Sequence, residues 1–93
     1  MDELEFEWDP AKARSNRRKH GVGFAEAATV FRDRFARLRP EHVGDSEQRA
    51  VLVGLSSMGR LLVVAFVDRG RIRIISARRA TPFERHVYEE TAG

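Results

Sequence analysis

The chain has 93 residues, 42% of them hydrophobic, no cysteine and a formal net charge of +3. This length suits one small domain over residues 1–93 with a thin core, and the lack of cysteine excludes disulfides and cysteine-based metal or nucleophile chemistry. The longest apolar run, Leu61 to Val67, is far shorter than the roughly 20 residues that span a bilayer, and the acidic start is unlike a signal peptide. We therefore expect a cytoplasmic protein.

The charges are unevenly distributed along the chain. Residues 1–9 carry five acids and no base, whereas residues 10–40 carry nine Lys and Arg against two acids. Fifteen of the 17 basic residues are Arg, whose guanidinium binds phosphate through paired hydrogen bonds. This asymmetry favours a polyanionic partner, nucleic acid first. The alternative is that the excess of Arg reflects a GC-rich coding sequence.

The first predicted elements are a short strand and a polar helix. Residues 4–8 alternate apolar and acidic side chains, which predicts a strand whose inward residues are Leu4, Phe6 and Trp8. A helix should follow from Pro10 to about His20, with Asp9 as its N-cap and Gly21 as a left-handed C-cap.

This first helix lacks a hydrophobic stripe, since its only apolar residues are alanines. We therefore interpret Asn16 as a hydrogen-bonding anchor that fixes it to the rest of the molecule. Lys12, Asn16 and Lys19 share one face, while Arg17 and Arg18 belong to a second basic cluster with Arg14. Lys19 and His20 either complement the helix dipole or form a surface facing phosphate, where a histidine can exchange a proton near neutral pH.

The next segment predicts an amphipathic helix and then a loop. Phe24, Ala27, Ala28 and Phe31 recur at helical spacing and indicate a core stripe, with Gly23 as a modest N-cap. Residues 32–48 are polar and contain Pro40 and Gly44, so we interpret them as a loop with a short extended piece near residues 35–38.

Three strands and a final helix complete the prediction. Strands over residues 49–56, 61–68 and 71–77 are joined by short turns, which predicts an antiparallel meander with the all-apolar strand in its middle. The last helix should run from Pro82 to about Thr91 and pack through Phe83 and Val87, with Tyr88 as a further candidate. The fold class is therefore α+β.

The stretch over residues 71–84 organises the predicted site. Arg71 and Arg73 alternate with Ile72 and Ile74, and two further arginines follow before a T-x-x-E capping box that starts at Thr81. Several guanidinium donors would then lie beside a helix N-terminus, where an anion binds well. The alternative is that these arginines form only the solvated face of a half-buried strand.

Other chemistry lacks sequence support. The three histidines are far apart and show no metal-ligand spacing, and no glycine-rich phosphate loop follows a strand, so we expect no metal and no cofactor. Arg, Lys, His and one Tyr suit RNA cleavage without metal, in which the 2′-hydroxyl attacks the adjacent phosphate. The same surface also suits plain RNA or DNA binding.

Two blocks of residues carry a family resemblance. The first block contains Phe6-Glu7-Trp8-Asp9, Lys12, Asn16, Lys19-His20-Gly21-Val22, Phe24, Glu26-Ala27, Val30-Phe31 and Asp33. The second contains Leu62-Val63-Val64, Arg69-Gly70, Ile72-Arg73-Ile74-Ile75-Ser76-Ala77-Arg78-Arg79-Ala80, Glu84-Arg85 and Tyr88-Glu89. In this combination the chain resembles the BrnT toxins of bacterial type II toxin–antitoxin systems. Gly23 stands where that family usually has Ser, a small departure in a helix cap.

The resemblance implies a RelE-like ribonuclease fold and a toxin that cleaves mRNA and inhibits translation. It also implies a BrnA-type ribbon-helix-helix antitoxin, a complex of two toxins with an antitoxin dimer, and promoter DNA bound through the antitoxin. On this basis we expect the catalytic residues to be Lys19, His20, Arg73 and Arg78. The expected RNA-binding residues are Lys12, Arg17, Arg18, Arg71, Arg79 and Tyr88.

A second reading belongs to another functional class. The chain could be a non-enzymatic module that binds nucleic acid or a partner protein and acts mainly as a co-repressor. Growth arrest on expression without antitoxin would distinguish the two readings.

Overall fold

A five-stranded mixed sheet with helices on both faces forms the fold. A computed structural model describes residues 3–43 and 47–92, without the side chains of residues 40–48, 91 and 92. The elements, in chain order, are β1 (Phe6–Glu7), α1 (Pro10–His20), α2 (Phe24–Thr29), a 3₁₀ turn (Val30–Arg32), β2 (Arg37–Val43), β3 (Glu47–Leu55), β4 (Leu61–Arg69), β5 (Arg71–Arg79) and α3 (Pro82–Ala92).

The sheet differs from the predicted three-stranded antiparallel, RelE-like meander in two respects. Its strand order is β1-β5-β4-β3-β2, so four strands form the antiparallel meander. The short strand β1 is present but pairs parallel to β5, with Phe6 opposite Ile72 and Glu7 opposite Arg73. Parallel pairing is possible here because two helices and three strands separate β1 from β5, so no tight hairpin fixes their direction.

Strand β2 lies in the segment that the sequence predicted to be mainly a loop. The short extended piece predicted near residues 35–38 overlaps its first two residues, but the loop prediction was wrong over residues 39–43 and 47–48. Pro40 and the many charges argued against a strand. However, β2 is an edge strand, where proline is tolerated because one side of the backbone needs no ladder partner. Residues 44–46 and the side chain of His42 lie outside the described part of the chain.

Two apolar clusters lie on opposite faces of the sheet. The larger one packs β3, β4 and β5 against α2 and the segment that precedes it, and includes Phe24, Leu62, Val64, Phe66 and Ile74. The smaller one lies on the other face, where Tyr88 of α3 packs against Val51, Val53, Leu61 and Val63. Strand β4 contributes to both clusters, which confirms its predicted central position.

The predicted ends of α1 and the predicted start of α3 are confirmed. The carboxylate of Asp9 accepts hydrogen bonds from the Ala11 and Lys12 N–H groups at 2.8 and 3.4 Å. Gly21 ends α1 with φ of 70°, a left-handed conformation that glycine adopts without strain. At the start of α3, Thr81 and Glu84 exchange reciprocal hydrogen bonds of 2.8 and 3.2 Å in a capping box.

Asn16 anchors α1 to the sheet, as the sequence predicted. Its side chain is the one buried side chain of α1, with 7% of its surface exposed. Its amide donates to the Ala77 carbonyl at 2.8 Å and to the Val22 carbonyl at 3.0 Å, and its oxygen accepts from the Ala77 N–H at 3.1 Å. Asn16 therefore pairs with β5 as a neighbouring strand would.

Two predicted inward residues point to solvent instead. Leu4 lies before the two-residue strand β1 and is 54% exposed. Phe83 is 74% exposed, so α3 packs through Val87 and Tyr88 without it. The predicted stripe of the second helix is confirmed, because Phe24 and Ala27 are buried and Ala28 and Phe31 pack against them.

Candidate functional site

A β-bulge in β5 brings two of the predicted arginines to one face of the sheet. Ala65 pairs with Ser76 and Phe66 pairs with Ile74, so Ile75 is the additional residue. Arg73 and Arg78 are an odd number of residues apart and would point to opposite faces of a regular strand. The bulge reverses the alternation, and both arginines lie on the face that carries Val63, opposite the large cluster.

The pairing register places further polar side chains on this face. Arg49 and Arg73 flank Val67 from the two neighbouring strands. One step along the sheet, Arg39, Val51, Ala65 and Ser76 form a row across four strands. We call this surface the arginine face and define it by Arg39, Arg49, Arg73, Ser76 and Arg78.

A shallow cavity of about 340 Å³ opens on the arginine face. The cavity is lined by every residue that defines the arginine face except Arg73, and also by Val51, Val63 and Ala65. The Nε atom of Arg49 is buried and has no hydrogen-bond partner among the described residues. An unpaired buried donor is costly, so an anion that accepted this N–H would supply a hydrogen bond that no described residue provides.

Arg78 is oriented by the capping box of α3. Its Nη1 and Nη2 donate to the two carboxylate oxygens of Glu84, each at 2.8 Å, and Nη1 also donates to the Arg79 carbonyl at 3.2 Å. Hydrogen bonds from Arg78 lower the pKa of Glu84 to about 2, and those same bonds raise the pKa of Arg78. The described residues use three of the five guanidinium N–H groups and leave two for a ligand.

Arg73 and Arg71 lie beside the acidic strand β1. Arg73 Nη1 donates to Glu7 at 3.2 Å, and its side chain is 34% exposed. Arg71 lies 3.5 Å from Glu5 and 4.0 Å from Glu7 and is largely exposed. Glu5 and Glu7 therefore balance part of the positive charge at this end of the arginine face.

The predicted residues of α1 form a second, adjoining pocket. Lys12, Lys19 and His20 line a depression of about 210 Å³ together with Ser15, Asn16, Ile75 and Ser76. Ser76 lines this pocket and also the cavity on the arginine face. The structure thus brings Lys12, Lys19 and His20 beside the arginine face at one edge of the sheet.

Four of the predicted RNA-binding residues lie elsewhere. Arg79 pairs with Leu62 and so lies on the opposite face from Arg78. Arg17 points towards Gly23 and Glu26, and its charge contributes to a lowered pKa of Glu26, which Arg60 lowers most through a hydrogen bond. Arg18 is exposed and follows Asn16 by two residues, so it lies on the outer side of α1.

Tyr88, the fourth of these residues, is engaged in the structure. It is 5% exposed, and its hydroxyl donates to Asp33 Oδ2 at 2.6 Å. Burial and this carboxylate raise the pKa of Tyr88 to about 12. Asp33 also accepts from the Leu55 and Phe35 N–H groups. Burial acts to raise the pKa of Asp33, but the hydrogen bond from Tyr88 and the two backbone bonds together lower it. Tyr88 thus ties α3 to the end of β3.

The sequence reasoning missed Arg39, Arg49 and Ser76 as members of the arginine face. Arg39 was assigned to a loop, and Arg49 was seen only as a strand residue. The available signal was the alternation of arginines with other residues over 37–39, which is typical of a strand with one solvated face.

Two absences are found within the described residues. Among the side chains of residues 3–39 and 49–90, no group of three or more His, Cys, Asp or Glu is placed to hold a metal ion. No helix in that part of the chain is long and apolar enough to cross a membrane.

Comparisons with known proteins connect this geometry to a family. The profile described as ribonuclease toxin, BrnT, of type II toxin–antitoxin systems matches residues 8–84. Among solved structures, the chain is similar to the crystal structure of the Brucella abortus ribonuclease toxin BrnT, with a TM-score of 0.64 and 23% sequence identity over 85% of this chain and 99% of that one. A comparison with curated protein sequences gave no match.

Proposed function

The chain belongs to the family of BrnT ribonuclease toxins of type II toxin–antitoxin systems, and we propose that its arginine face, with the adjoining pocket of α1, binds and cleaves RNA. As a member, it is a ribonuclease with an RNA substrate and a protein antitoxin. The observation that carries the proposal is the β5 bulge, which places Arg73 and Arg78 on one face beside Arg49, whose buried Nε has no hydrogen-bond partner among the described residues.

The proposed reaction requires no metal ion. The 2′-hydroxyl oxygen of one nucleotide attacks the adjacent phosphorus, the bond to the 5′-oxygen breaks, and a cyclic phosphate and a 5′-hydroxyl form. Arg73 and Arg78 stabilise the negative charge that develops on the phosphate oxygens. His20 is the first candidate for proton transfer, with Lys19 beside it, because both line the pocket that meets the arginine face at Ser76.

RNA binding outside the reacting phosphate is assigned to the nearest cations. Lys12 lines the α1 pocket, and Arg71 lies at the far end of the arginine face. These side chains are exposed and contribute mainly a charge-dependent, sequence-independent affinity. Arg17, Arg18, Arg79 and Tyr88 have no part in this proposal, since the structure places them away from the two pockets or engages them elsewhere.

The chemistry is tested with purified protein and a defined RNA in the presence of EDTA. We expect cleavage to continue, products to end in a cyclic phosphate, and a 2′-deoxy substitution at the cleaved nucleotide to block the reaction. Cleavage that stops in EDTA and returns with a divalent metal would contradict the mechanism. So would cleavage of the 2′-deoxy substrate.

The finer biological assignments follow from family membership and belong to the proposal. The substrate is mRNA in the cytoplasm, and its cleavage inhibits translation. The antitoxin is a BrnA-type ribbon-helix-helix protein that forms a complex of two toxins with one antitoxin dimer and binds promoter DNA. Light scattering of the co-expressed complex measures this stoichiometry, and gel shift with promoter DNA tests repression. A complex of one toxin with one antitoxin, or one that leaves promoter DNA unshifted, would contradict the assignment.

A further inference from the structure

An exposed aromatic ring lies beside the arginine face without a role in the fold. Phe83 occupies the first turn of α3 and is 74% exposed, whereas Tyr88 of the same helix is 5% exposed. The ring is therefore not required to hold α3 on the sheet. It forms one wall of a groove of about 260 Å³ between α3 and the edge of the sheet, which we call the Phe83 groove.

The lining of this groove is mixed in character. Val53 and Val87 supply apolar surface, and Arg37 and Arg39 come from the edge strand β2. Arg39 also lines the cavity on the arginine face, so the groove and the proposed RNA surface are continuous. Glu84, which orients Arg78, lies at the junction between them.

We infer that the Phe83 groove is a nucleobase subsite, in which one base of the RNA stacks on the Phe83 ring while Arg39 holds an adjoining phosphate. An aromatic platform beside a cationic track is how proteins bind single-stranded RNA, because each nucleotide supplies one ring and one negative charge. The groove is somewhat smaller than the pockets of about 300–1,000 Å³ that enclose whole ligands, which suits a single base.

This inference rests on the proposed position of RNA on the arginine face. A protein segment of the antitoxin would also find apolar contacts in the groove. RNA is favoured because two arginines line it and because it continues into the surface that carries Arg49 and Arg78.

The test uses a short 2′-O-methyl oligoribonucleotide, which the proposed reaction cannot cleave, and a matched set with an abasic site at each position in turn. Binding is measured by fluorescence anisotropy for the wild type and for Phe83→Ala. We expect Phe83→Ala to weaken binding about 5- to 150-fold, the range for loss of one stacked base. When the abasic site replaces the base that stacks on Phe83, the wild type and Phe83→Ala should bind the oligonucleotide with equal affinity.

Three variants provide controls. Phe83→Trp keeps an aromatic platform and should retain the affinity. Met58→Ala removes an equally exposed apolar side chain from the β3–β4 turn and should have no effect. Arg39→Ala should reduce the slope of log affinity against log salt by about one, while Phe83→Ala should leave the slope unchanged.

Two results overturn the subsite. One is wild-type oligonucleotide affinity in Phe83→Ala. The other is a loss of antitoxin binding in Phe83→Ala with RNA binding unchanged, which would make the groove a protein interface. Arg73→Ala is measured in parallel for cleavage and binding: if it matches the wild type in both, the arginine face itself is misassigned and the subsite falls with it.

Discussion

The two faces of the sheet differ in what covers them. On one face, α2 and the segments around it bury a continuous apolar cluster, in which Phe31 packs edge-to-face against Phe6 and Phe66 at 5.2 and 4.9 Å. On the other, α3 covers one corner through Tyr88, and arginines occupy the rest. Burial on the first face supplies stability, and the partial cover of the second leaves guanidinium groups accessible to a ligand.

The two faces also use their Arg–Glu pairs differently. Arg60 and Glu26 fasten the β3–β4 turn to α2, and Ser56 donates to the same carboxylate at 2.7 Å. Arg78 and Glu84 instead lie at the edge of an open cavity, where the arginine keeps two N–H groups for a ligand. The Arg60–Glu26 pair therefore stabilises the fold, whereas in the Arg78–Glu84 pair the carboxylate orients an arginine that is available to a ligand.

The largest expected effect comes from the neighbouring arginines at the end of β5. Arg78→Ala should reduce the rate of RNA cleavage about 10²- to 10³-fold, the usual loss when one donor to a transition-state anion is removed. Arg79→Ala, whose side chain lies on the opposite face, should change the rate by no more than about twofold. Equal losses in the two variants under single-turnover conditions would show that the faces are not distinct in function.

Arg78→Lys sharpens this comparison. Lysine keeps the charge but cannot form the two parallel bonds to Glu84 that orient Arg78. We expect Arg78→Lys to cleave RNA at a rate between those of the wild type and Arg78→Ala. Full activity in Arg78→Lys would mean that charge alone suffices and that the orientation by Glu84 is unimportant.

Asn16 should control stability on the helix side of the sheet. Asn16→Ala leaves the N–H and carbonyl of Ala77 without their side-chain partner, and we expect a loss of about 2–4 kcal/mol in the free energy of unfolding. Ser15→Ala, on the same helix and half-buried, should stay within about 0.5 kcal/mol of wild type. Urea denaturation measures both, and similar stabilities in the two variants would contradict the anchor role.

Two glycines provide a matched test of packing on the covered face. A Cβ at Gly54 would lie 3.0 Å from atoms of Val30, Asp33 and Ala36, so Gly54→Ala should cost about 1–3 kcal/mol. At Gly23 the nearest atom is the flexible tip of Arg17 at 3.5 Å, so Gly23→Ala meets no steric barrier and should cost no more than about 1 kcal/mol, from the poorer N-cap that alanine makes. A neutral Gly54→Ala in thermal denaturation would show that this face packs more loosely than described.

The smallest expected effect is a pH dependence of stability from Glu84. Its folded pKa of about 2 lies below the ordinary 4.5, so its contribution is complete above about pH 4.5 and disappears as the pH falls towards about 2. Because Arg78 is 41% exposed, we expect only about 1–2 kcal/mol. Glu84→Gln should flatten this part of the stability profile, and an unchanged profile would contradict the assignment.

The ends of the helices could be predicted from local sequence, whereas predicting the arginine face requires the pairing register between the strands. Asp9, Gly21 and the Thr81–Glu84 capping box act through contacts within a few residues, so their pattern determines their structure. The role of Asn16 was predictable because a helix without apolar residues needs a polar anchor. In contrast, the bulge at Ile75 depends on pairing with β4, which alternation within β5 does not specify.

Strand β2 shows the same limit on a larger scale. Its proline and charges resemble a loop locally, and only its position at the edge of the sheet makes them compatible with a strand. Because β2 was not predicted as a strand, Arg39 was left out of the predicted site. The row of paired residues that runs from Arg39 to Ser76 across four strands could not be recognised either. The sequence could therefore identify the arginines of β5 as candidates but not the surface that they share with β2 and β3.

The most direct test of the division between the two faces is single-turnover RNA cleavage by Arg73→Ala beside Arg14→Ala. Both variants remove one arginine, but Arg14 is exposed on α1 outside the two proposed RNA-binding pockets. The account predicts that Arg73→Ala loses about 100-fold or more in rate at unchanged unfolding free energy, and that Arg14→Ala stays within about twofold of wild type. A cleavage rate of Arg73→Ala equal to that of the wild type would contradict this division between the faces.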